Sequence, residues 1–229
     1  MDKGKLYVVA TPIGNLRDIT LRAIDTLKEV AFILAEDTRE TNKLLERYEI
    51  STQIVSYRDQ NHERMIGKVI EKLEAGLDLA LVSDCGTPLI SDPGYKLIKD
   101  LRELGYEIIS IPGPSALTSA LSIAGLPTDS FLFLGFLPKA NGKREKLLKK
   151  SLDFNTTLVI YESPNRIIKV LNGIEKLDPE CLVSAIRDIS KKREKVYWGS
   201  ICNVISSMVK DGLEENPHGE WVVVISKKS

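Results

Sequence analysis

Apolar and polar positions alternate along this chain in blocks. Short apolar runs at Leu6–Ala10, Val30–Ala35, Leu79–Val82 and Glu107–Ile111 read as strands, with Ile54-Val55 a weaker candidate. The run Leu79-Ala80-Leu81-Val82 has the composition of a strand covered on both faces. Between these runs, apolar residues recur three and four apart, as on one face of a helix: Leu21, Ile24, Leu27; then Met65, Val69, Leu73; then Leu97, Leu101, Leu104. Gly76 and Gly105 stand where helix C-caps belong. Strand and helix therefore alternate, which predicts an α/β first half built on a mostly parallel sheet with helices on both faces.

The segment Ile111-Pro112-Gly113-Pro114-Ser115-Ala116 breaks that rhythm. Ser115 is placed to cap a helix running to Gly125, and the domain junction is expected here, with an N-terminal α/β domain over 1–113 and a C-terminal one over 114–229. In the second half the pattern predicts strands at Phe131–Phe136, Thr157–Tyr161, Leu182–Ile186, Lys195–Gly199 and Trp221–Ile225. Helices are expected from about Arg144 to Leu152, from about Arg166 to Leu177, and through Ile201–Val209. The short polar link between the Leu182 and Lys195 strands suggests a hairpin, hence a mixed sheet.

Four loops follow predicted strands, and in open α/β sheets ligands bind beyond the carboxyl ends of strands. Thr11–Asp18 contains Pro12, Gly14 and Asn15 and leads into a helix, yet it matches neither G-x-G-x-x-G nor G-x-x-x-x-G-K-[ST], so a dinucleotide or P-loop reading has little support. Glu36-Asp37-Thr38-Arg39 brings three charges to a strand end. Asp37 or Thr38 suits an N-cap there, and Asp37 with Arg39 is better placed to orient a hydroxyl or phosphate than to act as a strong base. Ser83–Gly94 is rich in Pro and Gly and so is restricted in backbone conformation. It and Pro112–Ala116 are small-residue loops that let a ligand approach the main chain, and together they suit one elongated cofactor.

Charge changes the picture mainly by exclusion. The chain has 229 residues, with Lys plus Arg at 32 and Asp plus Glu at 32, so any basic footprint must be local. No apolar run approaches the roughly 20 residues of a membrane span, and Met1-Asp2-Lys3-Gly4 leads into a strand rather than a signal peptide, so a cytoplasmic protein without membrane contact is expected. Cys85, Cys181 and Cys202 form no C-x-x-C pair, and His62 and His218 lie far apart in sequence. Neither a disulfide framework nor a metal site is expected.

The segments VATPIGNLRDITLRA (Val9–Ala23), EDTR (Glu36–Arg39), ALVSDCGTPLISDPG (Ala80–Gly94), IPGPSAL (Ile111–Leu117), GLPTDSFLFLGFLP (Gly125–Pro138) and YESPNRI (Tyr161–Ile167) occur in this order. Together they make the chain resemble the ribosomal RNA small-subunit methyltransferase I group of the tetrapyrrole methylase superfamily. The resemblance implies a two-domain tetrapyrrole-methylase-like fold with S-adenosyl-L-methionine in the cleft between the domains, and a homodimer. It also implies methyl transfer to the ribose 2'-hydroxyl of a cytidine in the decoding region of 16S rRNA, within the small ribosomal subunit. Carried over by motif, the donor site involves Pro12, Asp84-Cys85-Gly86, Ser115, Ala116 and Tyr161; Asn15 and Arg39 fall on the substrate side. Related chains often have Ala at the position of Cys85, and Arg-Glu-x-Thr-Lys where this chain reads Arg187-Asp188-Ile189-Ser190-Lys191.

With an activated methyl on the donor, aligning the ribose oxygen can supply about 7 to 11 kcal/mol of the barrier, whereas a general base adds about 10² to 10⁴ in rate. Glu36, Asp37 and Glu162 are the candidate carboxylates for the hydroxyl. RNA also requires cations. Lys143, Arg144 and Lys146 stand in a basic segment with Lys139, Lys149 and Lys150, and Lys191, Lys192, Arg193 and Lys195 form a second group. Such charge runs are usually solvated faces; joined to the motifs above, phosphate contact is expected. Two other readings remain open, a tetrapyrrole C-methyltransferase of the same fold and a non-catalytic RNA-binding module.

Overall fold

In the computed structural model, which describes residues 3–228, the chain divides into two units, one ending at Ser115 and the other beginning at Ala116.

In the first unit five short strands form one sheet in the order β3-β2-β4-β1-β5. They are β1 (Leu6–Val9), β2 (Phe32–Ala35), β3 (Gln53–Ser56), β4 (Leu79–Val82) and β5 (Ile108–Ile111), and every pairing is parallel. All four residues of the central β4 are buried, as its unbroken apolar run required. Alternate residues of each strand face opposite layers. Val9, Ile33, Ala35, Ala80 and Val82 meet Leu27 of α1 (Leu21–Glu29) and Leu44 and Leu45 of α2 (Thr38–Arg47). Leu6, Leu34, Leu79 and Leu81 meet Met65, Val69 and Leu73 of α3 (His62–Glu74) and Leu97 and Leu101 of α4 (Tyr95–Glu103). The Thr20 hydroxyl caps α1 by accepting from Ala23 N–H at 3.1 Å. Asp37 caps α2.

The second unit opens with α5 (Ala116–Ile123), directly after Ser115. Its strands β6 (Phe131–Phe136), β7 (Thr157–Glu162), β8 (Leu182–Arg187), β9 (Lys195–Ser200) and β10 (Trp221–Ser226) form a mixed sheet in the order β6-β7-β10-β8-β9. β6 and β7 are parallel, the other pairings antiparallel, and β8 with β9 makes the expected hairpin. α6 (Asn141–Leu152), α7 (Ile167–Leu177) and α8 (Ile201–Lys210) cover one face, where Leu148, Ile168, Leu171, Val204 and Met208 pack on Leu158, Ile160, Val183 and Val223. α5 covers the other through Ala120 and Leu121, joined by Ala124 just after its end, against Val159, Ile186, Val222 and Val224. α6 begins three residues before the expected start at Arg144. Among the described residues no helix is long and apolar enough to cross a membrane.

Candidate functional site

The loops leaving β1, β2, β4 and β5 are joined to one another by main-chain and short side-chain bonds. Thr11 and Gly86 exchange two backbone hydrogen bonds, Thr11 N–H to Gly86 O at 2.8 Å and Gly86 N–H to Thr11 O at 3.1 Å. The Thr11 hydroxyl donates to Ser83 O at 3.2 Å, and the Thr87 hydroxyl to Pro114 O at 3.0 Å. Asp37 N–H donates to Oδ1 of Asp84 at 2.9 Å.

Gly86 sits at φ +84°, where a Cβ would lie 3.2 Å from Cγ2 of Ile13. A side chain there would strain the backbone and press on the first loop together. Leu89 and Ser91 also hold left-handed backbone, at φ 73° and 69°. Non-glycine residues in that region cost of order 1 kcal/mol each and persist where neighbours hold them in place. Gly94 N–H is tied to Oδ1 of Asp59 at 3.1 Å. The shape of Ser83–Gly94 is thus fixed from within and from the loops that follow β1, β2, β3 and β5.

Three carboxylates approach this cradle with different environments. Burial raises the pKa of Glu36, and the nearby charges of Asp84 and Asp92 raise it further. Burial pushes Asp92 up to about 6, opposed by a hydrogen bond from Ser83. Asp37 goes the other way. Its Oδ1 accepts from Arg39 Nε at 3.0 Å and from Arg39 N–H at 2.9 Å, while Oδ2 accepts from Nη2 at 2.6 Å. Those bonds hold its carboxyl well below the usual carboxylate range, so it is an orienting anion and a poor proton acceptor.

The cradle fits a cationic, elongated ligand such as a sulfonium nucleoside. It offers exposed main chain at Gly113, small residues at Cys85 and Gly86, and the exposed carboxylate of Asp84. Pro12 is buried, Ser115 is half-buried at the end of the fourth loop, and Ala116, also half-buried, opens the second unit. Among the described residues no group of three or more His, Cys, Asp or Glu side chains is arranged to hold a metal ion.

Three expected site residues are engaged by their own neighbours. Glu162 is 2 % exposed, its Oε1 accepting from Ser163 N–H at 2.7 Å and its Oε2 from Arg166 Nη2 at 2.9 Å. With both oxygens engaged and almost no exposure, it serves as a structural anchor, a setting that argues against the catalytic part expected of it. Arg144 is 8 % exposed, with Nη2 bonded to Oδ1 of Asn141 at 2.6 Å and Nη1 near the carbonyls of Pro138 and Lys139, so it is not part of the exposed basic face. Lys143 and Lys146 are exposed on α6. Asn15 is exposed, and its Oδ1 caps the turn Leu16–Asp18 by accepting from Arg17 N–H at 3.2 Å. Tyr161 lies half-buried at the end of β7, edge-on to Phe133 and Phe136 with ring centres 4.9 and 5.8 Å away.

Sequence reasoning passed over the loop after β3. There Arg58 Nε donates to Glu36 O at 2.9 Å and its Nη2 lies 4.0 Å from Oδ2 of Asp37. A buried chain supports that loop, Tyr57 hydroxyl to His62 Nδ1 at 2.8 Å and His62 Nε2 to Asp100 Oδ2 at 2.9 Å. The available signal was position: Arg58 and Asp59 follow a strand on the same sheet edge as Glu36-Asp37.

Residues 5–204 match the model of the family described as tetrapyrrole (corrin/porphyrin) methylases. The chain is 42 % identical over 225 residues to a ribosomal RNA small subunit methyltransferase I of Thermotoga maritima, covering 98 % of this chain and 99 % of that one. It is 40 % identical over 224 residues to the Bacillus subtilis protein of the same name, covering 98 % and 75 %. Among solved structures it is similar to a cobalt precorrin-4 methyltransferase of cobalamin biosynthesis, with TM-score 0.68 and 15 % identity over 97 % of this chain and 94 % of that one. A uroporphyrin III C-methyltransferase of Thermus thermophilus gives 0.65 and 17 % over 97 % of each. These two likenesses are likenesses of fold.

Proposed function

The chain belongs to the tetrapyrrole methylase family, within its ribosomal RNA small subunit methyltransferase I group, and on that premise we propose that it methylates the ribose 2'-hydroxyl of a cytidine in the decoding region of 16S rRNA. The observation that carries the reading is the 42 % identity that runs the length of both this chain and its Thermotoga relative. The substrate is met within the small ribosomal subunit, by a cytoplasmic homodimer.

The methyl donor is S-adenosyl-L-methionine, which when bound would supply an activated methyl carbon for the ribose oxygen, with a neutral thioether as leaving group. Pro12, Asp84, Cys85, Gly86 and Ser115 would hold it. The rigid Ser83–Gly94 loop serves alignment, the larger share of the barrier. Glu36 takes the proton released by the 2'-hydroxyl. Its raised proton affinity suits that part, since a general base works best with a pKa near the working pH. Asp37, already paired with Arg39, orients the sugar or its phosphate instead. Lys143 and Lys146 meet RNA phosphates.

The test is methyl transfer from labelled donor to purified small subunits, with mapping of ribose methylation in small-subunit RNA from cells lacking the protein. The reading expects one cytidine 2'-O-methyl mark to vanish and to return with the purified protein. Persistence of every such mark overturns it, and transfer to a uroporphyrinogen-type ring in place of RNA would favour the C-methyltransferase alternative.

A further inference from the structure

A groove of about 590 Å³ runs between α6 and α7 in the second unit. Asn141, Arg144 and Leu148 form its α6 wall, three and four residues apart and so on one helix face. Its α7 wall is a second such stripe, Lys169, Asn172, Gly173 and Lys176, with Asn165 in the turn before it. Leu213 and Pro217 close one end. Otherwise α7 is an apolar helix, burying Ile167, Ile168, Val170, Leu171 and Ile174.

A polar stripe on a helix is ordinarily just solvated. Three observations set this one apart. Gly173 lies in the interior of α7, where glycine costs about 1 kcal/mol relative to alanine, yet a Cβ there would meet nothing within 4 Å. Neither close packing nor a left-handed backbone calls for it, and what it provides is room in the groove. Lys169 and Lys176 make no ion pair among the described residues, although Glu145 and Glu214 line the same groove. Arg144, by contrast, is fixed, its guanidinium held by Asn141 and two loop carbonyls. The groove thus combines one rigid cation, two unengaged ones and amide side chains over an apolar floor of Leu148, Ile168 and Leu213.

We infer that this groove is a second RNA-binding site, which seats a short single-stranded segment of the RNA substrate. Lys169 and Lys176 stand seven residues apart, about 10 Å along the helix, and meet backbone phosphates. Asn165 and Asn172 offer both donors and acceptors to base edges, and the apolar floor takes the face of a base or sugar. An acidic peptide would engage the lysines but leave the paired amides and the floor without counterparts. The exposed lysines 143, 146, 149 and 150 of α6 extend the positive surface along the rim. The inference rests on the RNA reading above and adds a site outside the loops that hold the donor.

The test uses the whole chain with donor bound, measuring affinity for deproteinised 16S rRNA and for intact small subunits across a salt series. Lys169→Glu/Lys176→Glu is expected to weaken both by at least tenfold and to flatten the slope of log affinity against log salt by about two. Gly173→Met fills the groove without changing charge and is expected to weaken both about fivefold. Donor affinity and melting temperature should stay at wild-type values in each variant, which separates a lost RNA site from a lost fold. Unchanged RNA affinity and salt slope in folded variants overturn the inference. Weakened binding to intact subunits with unchanged binding to bare rRNA also overturns it, and assigns the groove to a ribosomal protein instead. If the wild-type protein itself neither binds nor methylates rRNA, it is the function proposed above that fails.

Discussion

The backbone N–H of Asp37 donates to the carboxylate of Asp84 across 2.9 Å, fastening the loop after β2 to the loop after β4. The two strands are neighbours in the sheet, paired Ala35 with Val82 at their carboxyl ends, so this one bond sets the spacing of the site's two most acidic loops. Asp84→Ala removes the acceptor and leaves the Asp37 amide to water. Donor affinity measured by titration calorimetry is expected to fall at least tenfold, in line with a lost charge-assisted hydrogen bond, while the melting temperature of donor-free protein moves little because the carboxylate is exposed.

Glu36 and Asp37 are adjacent in sequence and opposite in environment, and their variants should separate accordingly. Glu36→Gln is expected to slow single-turnover methylation by about 10² to 10⁴ with donor affinity retained. A protonated carboxyl cannot accept the hydroxyl proton, so the wild-type rate must fall as pH drops through the Glu36 pKa. Because burial raises that pKa, the falling limb lies above the range of an ordinary glutamate. The limb should disappear in Glu36→Gln and survive in Asp37→Asn, because the Asp37 carboxyl that this variant removes is ionised far below that range in the wild type. Rate–pH profiles of the three proteins decide the matter.

What the sequence disclosed, and what it hid, follows from burial. β4 is covered on both faces and reads as a run of four apolar residues; β3, at the sheet edge, is exposed at both ends and shows only Ile54-Val55. The weak strand took its loop with it, and Arg58 and Asp59 were passed over although they brace Glu36 and Gly94. α2 was legible at its start, through Asp37 as cap, more than along its length, where Thr41, Leu44 and Leu45 are the buried residues. Among charges, the motifs located Glu162 and the basic run but not which way each side chain turns. Arg144 shares a helix face with Leu148 and Asn141, and that spacing marks it as the inward member of its cluster. Arg166 stands four residues after Glu162 and was legible as its partner, but that spacing does not tell whether the pair faces solvent or the interior.

Asp92 should make the protein less stable as the medium turns from acid to neutral. Its folded pKa of about 6 exceeds the unfolded value of 3.8, so the folded state binds the proton more tightly and stability is lost as pH rises between these values. Across roughly two pKa units the loss is about 2 to 3 kcal/mol at most. Asp92→Asn keeps the shape without the titration. Urea unfolding is expected to find the variant close to wild type at pH 4 and more stable than wild type at pH 7; parallel curves across that range would refute the assignment.

Glu162 and Arg166 form an ion pair in which the carboxylate has no solvent exposure, and Arg166 Nη2 also donates to Leu137 O at 2.7 Å, tying the start of α7 to the end of β6. Removing one partner of a buried pair leaves the other charge uncompensated, at about 3 to 5 kcal/mol. That cost is felt all the more because Nε of Arg166 is buried and has no hydrogen-bond partner. Glu162→Ala is therefore expected to lower the unfolding free energy by about that amount while the methylation rate per folded molecule stays within about twofold of wild type. Titration of folded protein with donor, followed by single-turnover assay below the new melting temperature, separates the two effects. A rate loss of 10² or more in fully folded variant would restore this carboxylate to the chemistry, which its saturated oxygens otherwise deny it.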